Sequence, residues 1–401
     1  MDKWMNEPGL IGFESFFDEG ELLQIACSLI RINTENPPGG EEAAALYIQS
    51  VLKDNGIDSE LSLAAPGRAN LTAILEGRLP GPTLVYNGHL DVVPAGDRWT
   101  KEPFAGVVEN GRLYGRGASD MKSGVSAMLY AAIILKRLGN PFAGKLILFF
   151  NADEEVGNLG MKHFMKAPFM ADYAVFSEPS DLDVCVCHKG DARIRITTSG
   201  TSGHTAVVEH PDNAIMKMIK LVQALEGLGR EIGTRKHAML GAASLTVSKF
   251  NGGSAPNMVP NRAVVEIDRR VMPGEREEDV FAEIERTLSE VARREGFDYQ
   301  FDPYLYVPPH EIAANHPLTQ AALRISAETT GLGKKAKPFA ASAECPFFSE
   351  RLGVPTLILG PGSLLEAHTA NESVDIRELT DAAKVFVRLA CEMLQEGGIS
   401  S

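Results

Sequence analysis

Thr83-Leu84-Val85-Tyr86-Asn87-Gly88-His89-Leu90-Asp91-Val92-Val93-Pro94 is the stretch whose reading decides the fold. Its short apolar run, bounded by polar and turn residues, reads as a strand buried on both faces. His89 stands two residues before Asp91 at the exit of that strand, and side chains two apart project the same way. The pair suits a histidine metal ligand whose second ring nitrogen is held by a carboxylate. A satisfied polar pair with no ligand has the same appearance.

The pattern recurs along the chain. Leu146-Ile147-Leu148-Phe149-Phe150 runs into Asn151-Ala152-Asp153-Glu154-Glu155-Val156-Gly157, and Tyr173-Ala174-Val175-Phe176 into Ser177-Glu178-Pro179. Three successive carboxylates at a buried strand end need a compensating positive charge, unless the segment is simply a solvated acidic loop. Gly115-Arg116-Gly117-Ala118-Ser119-Asp120-Met121-Lys122 leads into a helical pattern from Ser123 to Leu138, and Glu41 to Asn55 carries another. A fourth strand pattern covers Asn70-Leu75. Helices interleaved with apolar strands predict an α/β domain with a mainly parallel sheet, covered on both faces. Ligands sit beyond the carboxyl ends of such strands, where His89, Asp91, Asp153, Glu154, Glu155 and Glu178 fall.

The texture changes after Lys189-Gly190. Ala192, Ile194 and Ile196 alternate with Arg193, Arg195 and Thr197, as in a half-exposed antiparallel strand. A helix over about Asp212–Leu228, strands at Ser244–Phe250 and Ala263–Arg270, a helix over Glu275–Glu295 and a strand at Tyr299–Phe301 follow. That order, β-α-β-β-α-β, predicts an inserted ferredoxin-like α+β domain over 191–302. The first texture returns afterwards, with a helix after His316-Pro317, a strand at Thr356–Leu359 and a closing helix from Leu379 to Gln395. Residues 1–190 and 303–401 therefore form one discontinuous catalytic, metal-binding domain. Two domains also suit 401 residues.

A net charge of -14 argues against non-specific binding to nucleic acid or to an anionic membrane. No apolar stretch approaches a membrane span, and Met1–Pro8 lacks the basic-then-apolar pattern of a signal peptide. Five scattered cysteines read as thiols in a reducing cytoplasm. Near the C-terminus, Gly360-Pro361-Gly362 precedes Glu366-Ala367-His368-Thr369-Ala370-Asn371-Glu372. Two histidines and several carboxylates at one sheet edge suit two metal ions, Zn²⁺ with Co²⁺ or Mn²⁺ as substitutes. The pair Glu154-Glu155 then supplies one base and one ligand.

Taken in this order, the motifs resemble the di-zinc metallopeptidase and amidohydrolase family of acetylornithine deacetylase, succinyl-diaminopimelate desuccinylase, aminoacylase and glutamate carboxypeptidase. The resemblance runs from about Leu22 to Leu394. It implies that His89 and Glu178 bind one metal, that Glu155 and His368 bind the other, and that Asp120 bridges them. Asp91 would orient His89, Glu154 would be the general base, and the Asp120-Met121 peptide would be cis. In the inserted domain, Gly200-Thr201-Ser202-Gly203-His204 resembles the segment whose histidine stabilises the oxyanion, often across a dimer. Asn257-Met258-Val259-Pro260 and Asp268-Arg269-Arg270 resemble the substrate grip. There Arg270 would pair with an α-carboxylate, and Arg269 would be a surface charge on the opposite face. Gly360 and Gly362 would offer backbone N–H groups to the same carboxylate, or form a plain turn. The chain departs from many relatives at Ser123-Gly124, where they have Gly-Gly, and at Ala343-Glu344, where they have Thr before the acid.

The implied function is zinc-dependent hydrolysis of the amide of an N-acyl amino acid, by a metal-activated water with Glu154 as base. A carboxypeptidase or dipeptidase with the same site is the first rival, and a metal-stabilised binding protein without turnover is the second. The resemblance further implies a homodimer through the inserted domain. Ile215, Met218, Ile219, Val222 and Leu225 offer an apolar stripe for it, unless that stripe covers the domain's own sheet.

Overall fold

The computed structural model describes residues 12–209 and 211–395, so Met1–Pro8 lies outside the described residues. The chain divides into two compact units. One comprises the chain up to Val186, Glu311–Phe339 and everything from Ala343; the other comprises Cys187–His310 with Ala340–Ser342. Segment 191–302 falls inside the second unit.

The larger sheet is mixed, and its parallel part is its centre. Ala143–Asn151, Leu79–His89, Tyr173–Phe176 and Thr356–Ile358 lie side by side in that order, all parallel. At one flank the hairpin Ser59–Ala65 and Arg68–Glu76 joins Ala143–Asn151 in antiparallel sense. A two-residue turn, Pro66-Gly67, can only reverse the chain, which is why this edge departs from the parallel expectation. At the other flank Cys185–His188 runs antiparallel to Thr356–Ile358.

Both faces of the parallel centre are covered, as continuous apolar strands require. Helices Lys122–Arg137 and Ile376–Met393 pack on one face, where the Tyr86 hydroxyl donates to the Phe386 carbonyl at 2.6 Å. The opposite face buries Val85, Ile147, Phe149, Ala174 and Phe176 against Phe348 and neighbouring rings. Every residue from Lys122 to Leu135 is buried, although no helix among the described residues is long and apolar enough to cross a membrane. The Lys122 ammonium donates to the carbonyls of Leu29 (3.1 Å) and Ile32 (2.7 Å), satisfying orphan acceptors where helix Glu19–Arg31 ends.

The second unit has a four-stranded antiparallel sheet in the order Ser244–Gly252, Arg262–Val271, Gly190–Ser199, Tyr299–Val307. Helices Ala214–Ile232 and Glu277–Glu295 cover one face. Numbered by chain order this is 2-3-1-4, the ferredoxin-like arrangement. The last strand runs through Pro303 to Val307 rather than stopping at Phe301. It is an edge strand with a register shift between Pro303 and Leu305, the setting in which proline is tolerated. Met218 and Leu225 are fully buried in this unit's own core, so the apolar stripe on the first helix serves its own sheet.

Candidate metal centre

Because the central strands are parallel, their carboxyl ends share one edge, and the candidate side chains gather there. The His89 ring has Nδ1 2.9 Å from the Asp91 backbone oxygen, which places its proton on that nitrogen. Nε2 is left facing Asp120 Oδ1 at 3.1 Å. The other Asp120 oxygen lies 3.4 Å from His368 Nε2, which is in turn 3.2 Å from Glu155 Oε1. One carboxylate thus stands between two imidazoles with an oxygen toward each, the disposition of a bridging ligand. Ligand atoms of His89, Asp120 and Glu155 all lie within 4.8 Å of one another. Glu178 is buried at its strand end, close enough for its charge to act on His89, but stands outside that tight group. The Asp120-Met121 peptide is cis.

The electrostatics test whether a cation fits. Burial pushes the Glu154 and Glu178 carboxyls well above their usual range, each reinforced by neighbouring carboxylates. Hydrogen bonds to Asp120 and Glu155 push His368 up to about 10. Burial alone would depress His89, yet the hydrogen bond to Asp120 and the charges of Glu178, Glu154 and Asp91 lift it well above an ordinary imidazole. Carboxyls that hold protons and imidazoles that keep them are both symptoms of excess negative charge in a desolvated place. A divalent cation relieves all of them at once, and mixed imidazole and carboxylate donors are its usual set.

Asp91 orients His89 through its backbone carbonyl, not through its side chain. The carboxylate is 3.6 Å from Nδ1 and hydrogen-bonds elsewhere. Its oxygens accept the backbone N–H groups of Glu154 (3.1 Å) and Glu155 (3.2 Å), and the Asn36 amide (2.8 Å). Asp120 is fixed similarly. One Glu372 oxygen accepts the N–H groups of Ser119 and Asp120, while the other pairs with buried Arg116. Glu154 itself keeps part of its surface open to solvent.

The glycines act by closeness of packing. A Cβ on Gly124 would stand 2.3 Å from Ser177 Oγ and 2.4 Å from the Ser177 carbonyl, so only that position must be glycine and Ser123 is accommodated beside it. Gly360 does not present a free amide: its N–H donates to Ser180 Oγ at 3.0 Å, which fits the plain-turn reading at that position.

In the second unit, His204 and Asn257 are both exposed on adjoining loops. Met258 bridges to His204, and the Asn257 carbonyl accepts the Thr205 N–H at 3.1 Å. Arg270 lies on the sheet face away from the helices, paired with Asp268 through contacts of 2.9 and 3.1 Å. Arg269 does face the opposite way, but into the core. It is fully buried and its guanidinium pairs with Glu275 at 2.6 Å, so it is no surface charge. Arg235 pairs with Glu275 and Glu283, and Arg193 and Arg195 with Asp191, Glu266 and Asp302.

Sequence reading did not single out Asn36, Glu41, Arg68 or Asn151, and named Glu344 only as a departure from relatives. Asn151 donates to Glu344 at 2.7 Å beneath the strand ends, and burial pushes the Glu344 carboxyl up to about 8 against that hydrogen bond. For Asn36 and Glu41 the signal was the turn-rich run Asn36-Pro37-Pro38-Gly39-Gly40-Glu41.

Comparison with known proteins identifies the family. Residues 85–392 match the profile of Peptidase family M20/M25/M40. The chain is 27% identical over 402 residues to the N-formyl-4-amino-5-aminomethyl-2-methylpyrimidine deformylase of Halalkalibacterium halodurans, covering 93% of this chain and 94% of that protein. It is 30% identical over 321 residues to the acetylornithine deacetylase of Proteus mirabilis, covering 77% and 79%. Among solved structures, the Bacillus subtilis YXEP protein, described as a dinuclear metal binding peptidase, superposes with a TM-score of 0.73 at 18% identity, covering 95% of this chain and 99% of that one. The chain belongs to the M20/M25/M40 peptidase family, as a metal-dependent amidohydrolase.

Proposed function

We propose that this hydrolase removes the acyl group from an N-acyl amino acid, with two zinc ions and Glu154 as general base. One observation carries the reading. Glu154 and Glu155 leave the same turn, yet Glu155 meets His368 and joins the tight ligand group while Glu154 lies outside it. Both named relatives remove a small acyl group, formyl or acetyl, which favours deacylation.

His89 and Glu178 would hold one ion, Glu155 and His368 the other, with Asp120 shared. Ions held there polarise the substrate carbonyl and acidify a shared water. Glu154 takes the proton of the attacking water and delivers it to the leaving amine. His204 supplies a donor to the developing oxyanion, and Arg270 and Asn257 bind the substrate carboxylate, Arg270 exchanging Asp268 for it. Segment 191–302 acts as the lid and dimerisation domain. The edge strand Ser244–Gly252, with Phe250 exposed, is the surface that favours a homodimer. Five buried cysteines suit a reducing cytoplasm.

The test is a hydrolysis panel on one preparation whose bound metal is measured by mass spectrometry. N-formyl, N-acetyl and N-succinyl amino acids are compared with dipeptides. Two zinc ions per chain, with acyl substrates cleaved at least tenfold faster than dipeptides, is the expected result. A dipeptide preference transfers the site to the peptidase reading. A fully loaded protein that cleaves nothing in the panel leaves the binding-protein reading.

A further inference from the structure

We infer that Asn36 is a positioning residue for the Glu154-Glu155 turn, acting through Asp91 and Asp153. The inference rests on Glu154 and Glu155 being base and ligand. It begins from one side-chain amide, 3% exposed, whose nitrogen lies 2.8 Å from Asp91 Oδ2 and 2.8 Å from Asp153 Oδ1. An NH₂ group has two hydrogens, and here each meets a different carboxylate. Without that donor the two acids would face each other across a desolvated gap.

Each carboxylate controls one part of the turn. Asp91 accepts the N–H groups of both Glu154 and Glu155. Asp153 supplies the bend that aims those N–H groups at Asp91, and it does so with φ at 72°, a left-handed conformation that an aspartate adopts more readily than most residues when its side chain is hydrogen-bonded nearby. Those hydrogen bonds are present. Asp153 Oδ1 also accepts Arg68 at 2.9 Å, Oδ2 accepts the Leu159 N–H at 3.1 Å, and its own N–H donates to Glu41 at 3.2 Å. Arg68 in turn grips Glu41 with two contacts of 2.5 and 2.6 Å, the Glu41 side chain being fully buried. A Cβ on Gly39 would lie 2.3 Å from the Arg68 guanidinium, so the Pro-Pro-Gly-Gly passage lets the arginine cross beneath it. Asn36 is itself pinned by its backbone N–H, which donates to the Val92 carbonyl at 2.8 Å. Segment 34–36 is thereby registered against the strand exit that carries His89 and Asp91, and the amide ties that exit to the base and ligand.

The experiment uses the metal-loaded full chain, with zinc retention against a chelator, kcat, KM and melting temperature measured for each variant. Asn36→Ala is expected to lower kcat ten- to a hundredfold, on the order seen for groups behind metal ligands, with KM within about twofold. It should also surrender zinc at about tenfold lower chelator concentration. Asn36→Asp, nearly isosteric, should fold and lose more than Ala on both readouts, because a third carboxylate replaces the donor. Arg68→Lys should retain more of both than Arg68→Ala. Wild-type kcat and zinc retention in Asn36→Asp overturns the inference, as does a loss confined to KM or to melting temperature. Glu154→Ala keeps the two layers apart. If it remains active, the base assignment has failed; if it is dead while Asn36→Asp is normal, only the role of Asn36 has failed.

Discussion

One oxygen of Glu372 accepts the backbone N–H of Asp120 at 2.9 Å, and that of Ser119 at 2.8 Å, so a residue four positions after His368 sets the backbone carrying the carboxylate that stands between the two imidazoles. The same side chain neutralises Arg116, which is 2% exposed and stacked under Trp99. Glu372→Ala therefore leaves a buried guanidinium unpaired and two amides without an acceptor. It should cost about 3–5 kcal/mol in urea unfolding, while Glu372→Gln, which keeps the acceptor, costs clearly less. Equal costs would detach the effect from the amides.

Glu154→Ala should reduce kcat by about 10²–10⁴ while zinc content by mass spectrometry stays at the wild-type value. Near-normal turnover in a zinc-loaded variant rejects Glu154 as the base.

Gly124→Ala introduces a methyl where 2.3 Å separates the site from Ser177 Oγ. Overpacking of this kind costs about 1–3 kcal/mol and should lower the melting temperature, whereas Ser123→Gly is tolerated. A Gly124→Ala protein as stable as wild type shows that the Ser177 segment can yield.

The adjacent arginines separate stability from binding. Arg269→Ala breaks an ion pair whose guanidinium is fully buried and should destabilise by about 3 kcal/mol, with KM little changed in the folded fraction. Arg270→Ala leaves stability near wild type and raises KM about ten- to a hundredfold, the worth of one lost pair of charged hydrogen bonds. The reverse pattern in chemical unfolding and steady-state kinetics removes Arg270 from the substrate grip.

Burial pushes the Glu378 carboxyl up to about 7, with the charge of Asp181 adding to the effect and the Gly362 N–H opposing it. A folded-state pKa above the unfolded value means that the native chain binds the extra proton. Stability from this group is full below about pH 4.5 and is lost as the pH rises through 7. Glu378→Gln should match wild type near pH 4.5 and exceed it by up to about 3 kcal/mol above pH 7, read from urea unfolding across pH.

How much of this was legible depends on where each side chain takes its instructions. His89, Glu155 and Glu178 follow apolar strands, and the parallel order that brings strand ends together follows from the interleaved helices. Their convergence is therefore written locally, and the inserted α+β unit is equally plain from its alternation. Asn36, Arg68 and Glu372 are different. Their partners lie 27 to 256 residues away, and nothing beside an Asn-Pro or an Asn-Glu pair states that its side chain is buried beside a candidate ligand. Arg269 shows a second limit. Periodicity gave its face correctly, but charge suggested solvent, and only Glu275 explains why a guanidinium can occupy the inner row. The amide of Gly360 shows a third, since a glycine turn does not reveal whether its N–H group already has an acceptor.

Strand Thr356–Ile358 sits between Tyr173–Phe176 and Cys185–His188. On the ribosome, the neighbours on both sides are made long before the strand that joins them, and the whole second unit emerges in between. Through that interval the nascent chain carries Tyr173–Phe176 as an apolar sheet edge without its partner, a surface prone to mispairing. His368 follows still later. The segment from Thr356 to His368 thus fills the gap in the sheet and carries a candidate ligand together, so a chain truncated before Thr356 can neither seal its sheet nor bring His368 to Asp120 and Glu155.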